Sequence, residues 1–207
     1  MDLRLEHDLQ RCLSMISASW EIQNNGDDRT TNFIYNVPSL DDCLRLISEK
    51  NVSEEYALHR WYNYHTSVYC EYLFCDYGAI HEENVRNHDV DIYIDDIPFD
   101  VKLTVYPRAL SKRPYNLTNR CGKNNMIKWF YSHQSQGNRK QMLNRLYVVC
   151  DGDNAEENLR MKSDFSLLRE KISAFMEYVR NHGLNKIEIF DNNQRYELYS
   201  DIIYIYN

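Results

Sequence analysis

The fold is decided by Val90-Asp91-Ile92-Tyr93-Ile94-Asp95-Asp96-Ile97-Pro98-Phe99-Asp100-Val101-Lys102-Leu103-Thr104-Val105-Tyr106. Val90, Ile92 and Ile94 alternate with Asp91 and Tyr93. Beyond the acid pair, Phe99, Val101, Leu103 and Val105 alternate with Asp100, Lys102 and Thr104. Period-two alternation marks half-buried strands. Asp95-Asp96 is the turn between them, although its turn chemistry is weaker than that of Asn-Gly. A loop symmetric about that pair sets Ile94 opposite Ile97, Asp91 opposite Asp100 and Asp89 opposite Lys102. Carboxylates directly across a ladder repel. A divalent cation between them removes that penalty, so Asp91 and Asp100 form a candidate metal site. The alternative is a solvated face carrying an Asp89–Lys102 pair.

Asp91, eight intervening residues and then Asp100-Val101-Lys102 resemble the core of the restriction-endonuclease-like PD-(D/E)xK nuclease superfamily. There one strand supplies an acid, the next supplies an acid and a lysine two residues apart, and the preceding helix often adds a further acid. The resemblance spans roughly residues 54–151, about half the chain. Val90 stands where the motif has proline, and Asp100 where glutamate is commoner. The superfamily tolerates both departures, and Asp89 competes for the place of the first acid. The resemblance implies an α/β core with a central mixed sheet flanked by helices. It also implies magnesium-dependent endonuclease cleavage of DNA, with manganese able to substitute, in restriction, defence or repair. Glu71, twenty residues before Asp91, takes the place of the helix acid, with Glu83 as its alternative. Glu71, Asp91 and Asp100 are then metal ligands and Lys102 the catalytic lysine. A homodimer would suit two cuts on duplex DNA.

The spacing has its own chemical logic. Magnesium takes oxygen ligands and keeps several waters, so two neighbouring carboxylates and a substrate oxygen suffice to hold it. Such an ion polarises a phosphate and lowers the pKa of bound water. Lys102, one step along the face from Asp100, is placed to orient that water and balance charge.

The chain is acidic overall, at −7, which argues against a generic nucleic-acid binder. The distribution of charge along the chain points the other way. From Val101 to Cys150 there is no Asp or Glu, while ten Lys and Arg residues make the segment +10 and leave −17 elsewhere. A local basic stripe suits a polyanionic substrate. Its candidate phosphate contacts are Arg108, Lys112, Arg113 and Lys123, and the resemblance, in which a Gln, Lys or Arg after the D-x-K strand touches phosphate or water, implies Gln134, Gln136, Arg139 and Lys140 as well. Such contacts give affinity and orientation.

At 207 residues the chain reads as one domain, 1–207, with helical additions before the core and a helix and strands after it. The beginning has no signal-peptide character and no apolar run reaches membrane-spanning length. Six scattered cysteines then read as reduced thiols of a cytoplasmic protein, and Cys70, Cys75, His81 and His88 fit no common zinc framework.

Along the chain, helices are expected at Leu3–Ser17, from the Ser39 cap to about Lys50, and from Ser53 to about Tyr77 with Gly78 as the stop. On the long helix, Leu58, Trp61, His65, Val68 and Tyr72 form the stripe expected to pack on the sheet. Arg60, Tyr64, Ser67 and Glu71 form a more polar one. Pro107 to Lys123 reads as a loop, Met126–Tyr131 as helix, Leu146–Cys150 as a buried strand and Ser163–His182 as a helix closed by Gly183. Ile187–Phe190, Tyr196–Tyr199 and Ile202–Tyr206 read as terminal strands, giving a mixed sheet flanked by helices. Two other functions compete with the nuclease. One is a non-catalytic DNA-binding accessory protein on the same fold; the other is an interaction protein whose basic segment binds an acidic partner.

Overall fold

The computed structural model describes residues 3–18, 24–84, 86–87, 89–133 and 142–206. The N-terminal part is helical: α1 (Leu3–Leu13), α2 (Asn25–Thr30), a 3-10 turn at Asn32–Asn36, α3 (Leu40–Lys50) and the long α4 (Glu54–Cys75). Three strands follow, β1 (Ile80–His81), β2 (Ile92–Ile94) and β3 (Ile97–Val105). Then come α5 (Arg120–Ser132), β4 (Arg145–Asp151), α6 (Ala155–Met161), α7 (Phe165–His182), β5 (Lys186–Asp191) and β6 (Gln194–Tyr206). The helix starts are written in side chains: Ser39, Ser53, Asn119, Asn154 and Asp164 each accept a backbone N–H of the first turn. Each such cap contributes about 1 kcal/mol.

The six strands form one mixed sheet in the order β1-β2-β3-β4-β6-β5. β3, β4 and β6 run parallel through the centre, and antiparallel hairpins flank them. The α/β class expected from the sequence is the observed one. Parallel neighbours need a crossover; α5 supplies the first, α6 and α7 the second. Alternating residues of the central strands feed two cores. Val101, Leu103, Leu146, Val148, Cys150, Ile203 and Ile205 pack with α1, α3, α4 and α7. Tyr147, Val149 and Ile202 face α5 through Met126, Ile127 and Tyr131. A strand clad on both faces is apolar throughout, which is why β4 lacks alternation.

The Val90–Tyr106 hairpin has the expected register, with Ile94 opposite Ile97 and Ile92 opposite Phe99. Asp95 and Asp96 both adopt positive φ, 51° and 63°. That is the two-residue geometry matching strand twist, for which Asn-Gly is the preferred sequence. Asn192 and Asn193 repeat it between β5 and β6, at 48° and 64°.

Elsewhere the structure departs from expectation. The loop read at Pro107–Lys123 ends early, because Asn119 caps α5 and Gly122 packs tightly against the Asn116 backbone. The two terminal segments of β6 are one thirteen-residue strand. α2 and α6 are short, polar helices without a stripe strong enough to announce them. On α4 the Leu58–Tyr72 stripe holds only at its start. Leu58 and Trp61 are buried, but the helix turns Tyr62, Thr66, Cys70, Leu73 and Phe74 inward and leaves Tyr72 exposed. Arg60, placed on the polar stripe, is buried instead: its guanidinium donates to the Asp28 carbonyl and to Thr31, Asn32 and Tyr35. Those partners belong to an N-terminal segment whose docking no local pattern encodes. All six cysteines are free thiols.

Candidate active site

β3 changes partner in mid-strand. Residues 97–99 pair with β2, and residues 100–105 pair with β4. The ladder with β2 runs out as Asp91 N–H donates to the Phe99 carbonyl at 2.8 Å. The next N–H on that side of β3 belongs to Val101. No strand among the described residues lies opposite, and the Asp91 carboxylate accepts it at 2.7 Å. Asp91 therefore sits at the fork between the strands because its side chain replaces a missing ladder bond. An orphaned buried N–H costs about 1–3 kcal/mol, so this contact fixes the carboxylate as well as the strand.

Asp100 is 4% exposed. Arg145, opposite it on β4, donates from Nε to Oδ2 at 2.8 Å, while Lys102 donates from Nζ to Oδ1. Asn144 locks the same corner: its carbonyl accepts Asp100 N–H, its side-chain oxygen accepts Tyr199 N–H, and its amide donates to the Pro98 carbonyl. Burial raises the pKa of Asp91, the Val101 N–H works against it, repulsion from Asp100 adds to the rise and Lys102 opposes it. The regular β2–β3 ladder stops at Ile92–Phe99, so the Asp89–Lys102 cross-strand pairing expected from a continued ladder does not form; Lys102 bonds Asp100.

Glu71 joins them from α4. Burial pushes its pKa up to about 8, repulsion from Asp91 and then Asp100 adds to this, and Lys102 opposes it. The electrostatics thus bring the helix acid, both strand acids and the lysine into one neighbourhood. Near neutrality Glu71 keeps its proton. His81 on β1 lies beside it: Nδ1 is 2.9 Å from the Glu82 carbonyl, to which it donates, and Nε2 shares a hydrogen bond with Glu71 Oε2 at 3.1 Å. Tyr72 stacks on the imidazole at 4.5 Å. Glu83, the alternative helix-side acid, is exposed.

Three oxygen donors beside an ammonium match a hard dication in kind. Among the described residues, no three His, Cys, Asp or Glu side chains form a preassembled metal cluster. In this state the Asp91 carboxylate accepts the Val101 N–H, and the Asp100 carboxylate accepts from Lys102 and Arg145.

The basic segment is less uniform than its charge count. Arg145 is spent on Asp100, and Arg120 on the buried Asp201 at 2.6 Å. Lys123 is half-buried and its pKa is lowered by that burial. Arg108, Lys112 and Arg113 are exposed around the 3-10 turn after β3. Gln134, Gln136, Arg139 and Lys140 lie outside the described residues. Sequence reasoning weighed His81 only in the discarded zinc set and missed its contact with Glu71, since it sits in a two-residue strand with no periodicity; it also missed the inward role of Arg145. The place of Arg145 at the head of the apolar run Leu146–Cys150 does not show which way it points; its partner Asp100 on β3 decides that. No protein-family model, curated protein or solved structure matches the chain.

Proposed function

We propose that this chain is a divalent-metal-dependent endonuclease of the PD-(D/E)xK type, acting on DNA. What supports the reading is that Lys102 bonds Asp100 beside the strand fork where Asp91 is held, and that both acids and the lysine act electrostatically on the buried Glu71 of α4. Glu71, Asp91 and Asp100 would hold magnesium or manganese. The bound ion supplies a polarised phosphate and a more acidic water. Lys102, half exposed and freed from Asp100, hydrogen-bonds the attacking water and stands against the charge growing on the phosphoryl oxygens. Arg145 keeps Asp100 oriented when Lys102 moves. Arg108, Lys112 and Arg113 contact flanking phosphates and hold the backbone in register.

One observation favours a competing reading. The double ion pair of Asp100 is also what a purely structural acid would show, as in a nucleic-acid-binding accessory protein. The two readings part in one assay. Plasmid, linear duplex and single-stranded DNA are incubated with magnesium, manganese or chelator, using wild type, Lys102→Ala and Asp91→Asn. The nuclease reading expects metal-dependent cleavage by wild type only, with both variants still binding DNA. Cleavage undiminished in Lys102→Ala removes the lysine from the chemistry. DNA binding without cleavage in any metal supports the accessory role.

A further inference from the structure

Beyond Lys102 the free edge of β3 continues along Leu103, Thr104 and Val105 into a separate cavity of about 240 Å³. α4 contributes His59 and Asn63, α6 contributes Asn158 and Leu159, and Arg108 stands at its border. Lys162, directly after α6, lines it with a side chain only 6% exposed. Its amine donates to the Asn63 side-chain oxygen, a neutral acceptor. A buried ammonium ordinarily carries a carboxylate partner, because isolating the charge from water is costly. Here no Asp or Glu is among the described lining residues, and the charged groups that do line the cavity are basic.

We infer that this cavity is a binding site for a phosphate group, which would supply the missing counter-charge. A phosphate has oxygens enough for the Lys162 ammonium, the Arg108 guanidinium fork and the side-chain amides of Asn63 and Asn158. Leu103, Val105 and Leu159 form an apolar flank in which charge-assisted hydrogen bonds strengthen. Burial holds the Lys162 pKa down to about 8, still protonated near neutrality, and an arriving anion would raise it. Thr104 lies two residues past Lys102, roughly 7 Å along the strand, so the pocket is distinct from the acid cluster. The pocket shares Arg108 with the phosphate contacts proposed above, but binding of phosphate here requires neither a metal nor cleavage.

The test is calorimetric titration of the full chain in chelator at constant ionic strength. Its probes are inorganic phosphate, a terminally phosphorylated dinucleotide, the same dinucleotide without that phosphate, and acetate. Phosphate and the phosphorylated dinucleotide should bind, and the other two should not. Lys162→Met keeps the buried volume apolar, and Arg108→Ala alters an exposed residue. Each should weaken binding about tenfold or more, the loss expected for one hydrogen bond to a charged group, with circular dichroism unchanged. Tighter binding of the phosphorylated dinucleotide identifies a nucleic-acid end as the source, and equal binding a free phosphate; both support the site. Silent wild-type titrations, acetate binding as strong as phosphate, or undiminished binding in both variants would overturn it.

Discussion

Replacing Arg145 by Met tests whether Asp100 is held by the fold or by its catalytic neighbours. The Arg145 Nε–Asp100 Oδ2 contact is 2.8 Å long, and the two side chains are 9% and 6% exposed. Removing one member of such a pair strands the other charge away from water, at about 3–5 kcal/mol. Lys102 still pairs with the other Asp100 oxygen from a half-exposed position. The loss should therefore sit at the low end, about 3 kcal/mol, a fall in Tm of about 6–12 °C for a chain of this size. Thermal and urea unfolding of the single variant measure it. A cycle with Asp100→Asn isolates the pair: the double variant should be more stable than additivity allows by at least about 1 kcal/mol. A Tm within about 2 °C of wild type, or strictly additive losses, would refute the buried-pair reasoning. Arg145 would then return to the set of residues available to substrate.

Lys102→Ala should cost less than about 1 kcal/mol, as expected for a half-exposed ion pair, while abolishing metal-dependent cleavage; matched unfolding and nicking assays separate the two effects. Glu71→Gln imitates the protonated acid present near neutrality, so Tm in chelator should be unchanged or higher while cleavage falls; a marked loss of stability would mean that the carboxylate itself holds the fold. Lys162 has its pKa drawn down by burial to about 8 from 10.5. The folded chain therefore sheds this proton before the unfolded chain does. Its contribution to stability is present above pH 10.5, declines across that window and is lost as pH falls through about 8. Lys162→Met should remove that slope in urea unfolding and raise stability near neutrality, and parallel pH profiles of the two proteins would contradict it. Asp95→Asn together with Asp96→Gly should stabilise the hairpin by about 1 kcal/mol, since both positions have positive φ; destabilisation would show the turn to be of another type.

Alternation in Val90–Tyr106 and the symmetry of Asp95-Asp96 determined the register, and register in a half-buried strand follows from which side chains avoid water. The order of helical and strand patterns likewise determined the α/β class. Because the side-chain period is two, placing Asp91 near Asp100 and Lys102 on the Asp100 face required nothing beyond the local pattern. Tertiary structure decided the rest. That β3 leaves β2 at Phe99 for β4 depends on a strand more than forty residues away, and it turns Asp91 into the acceptor for Val101 N–H. By local pattern Arg145 and Arg60 are solvent-facing cations; distant partners, Asp100 and the 28–35 segment, are what draw them inward. Lys162 shows the same limit from the other side. Its neighbours in sequence describe a lysine in a polar turn, and only the packing of α4, α6 and the β3 edge buries it with no carboxylate among the described residues lining its cavity. Local pattern records where a side chain points along its own element; charge pairing and desolvation depend on what the rest of the chain places opposite.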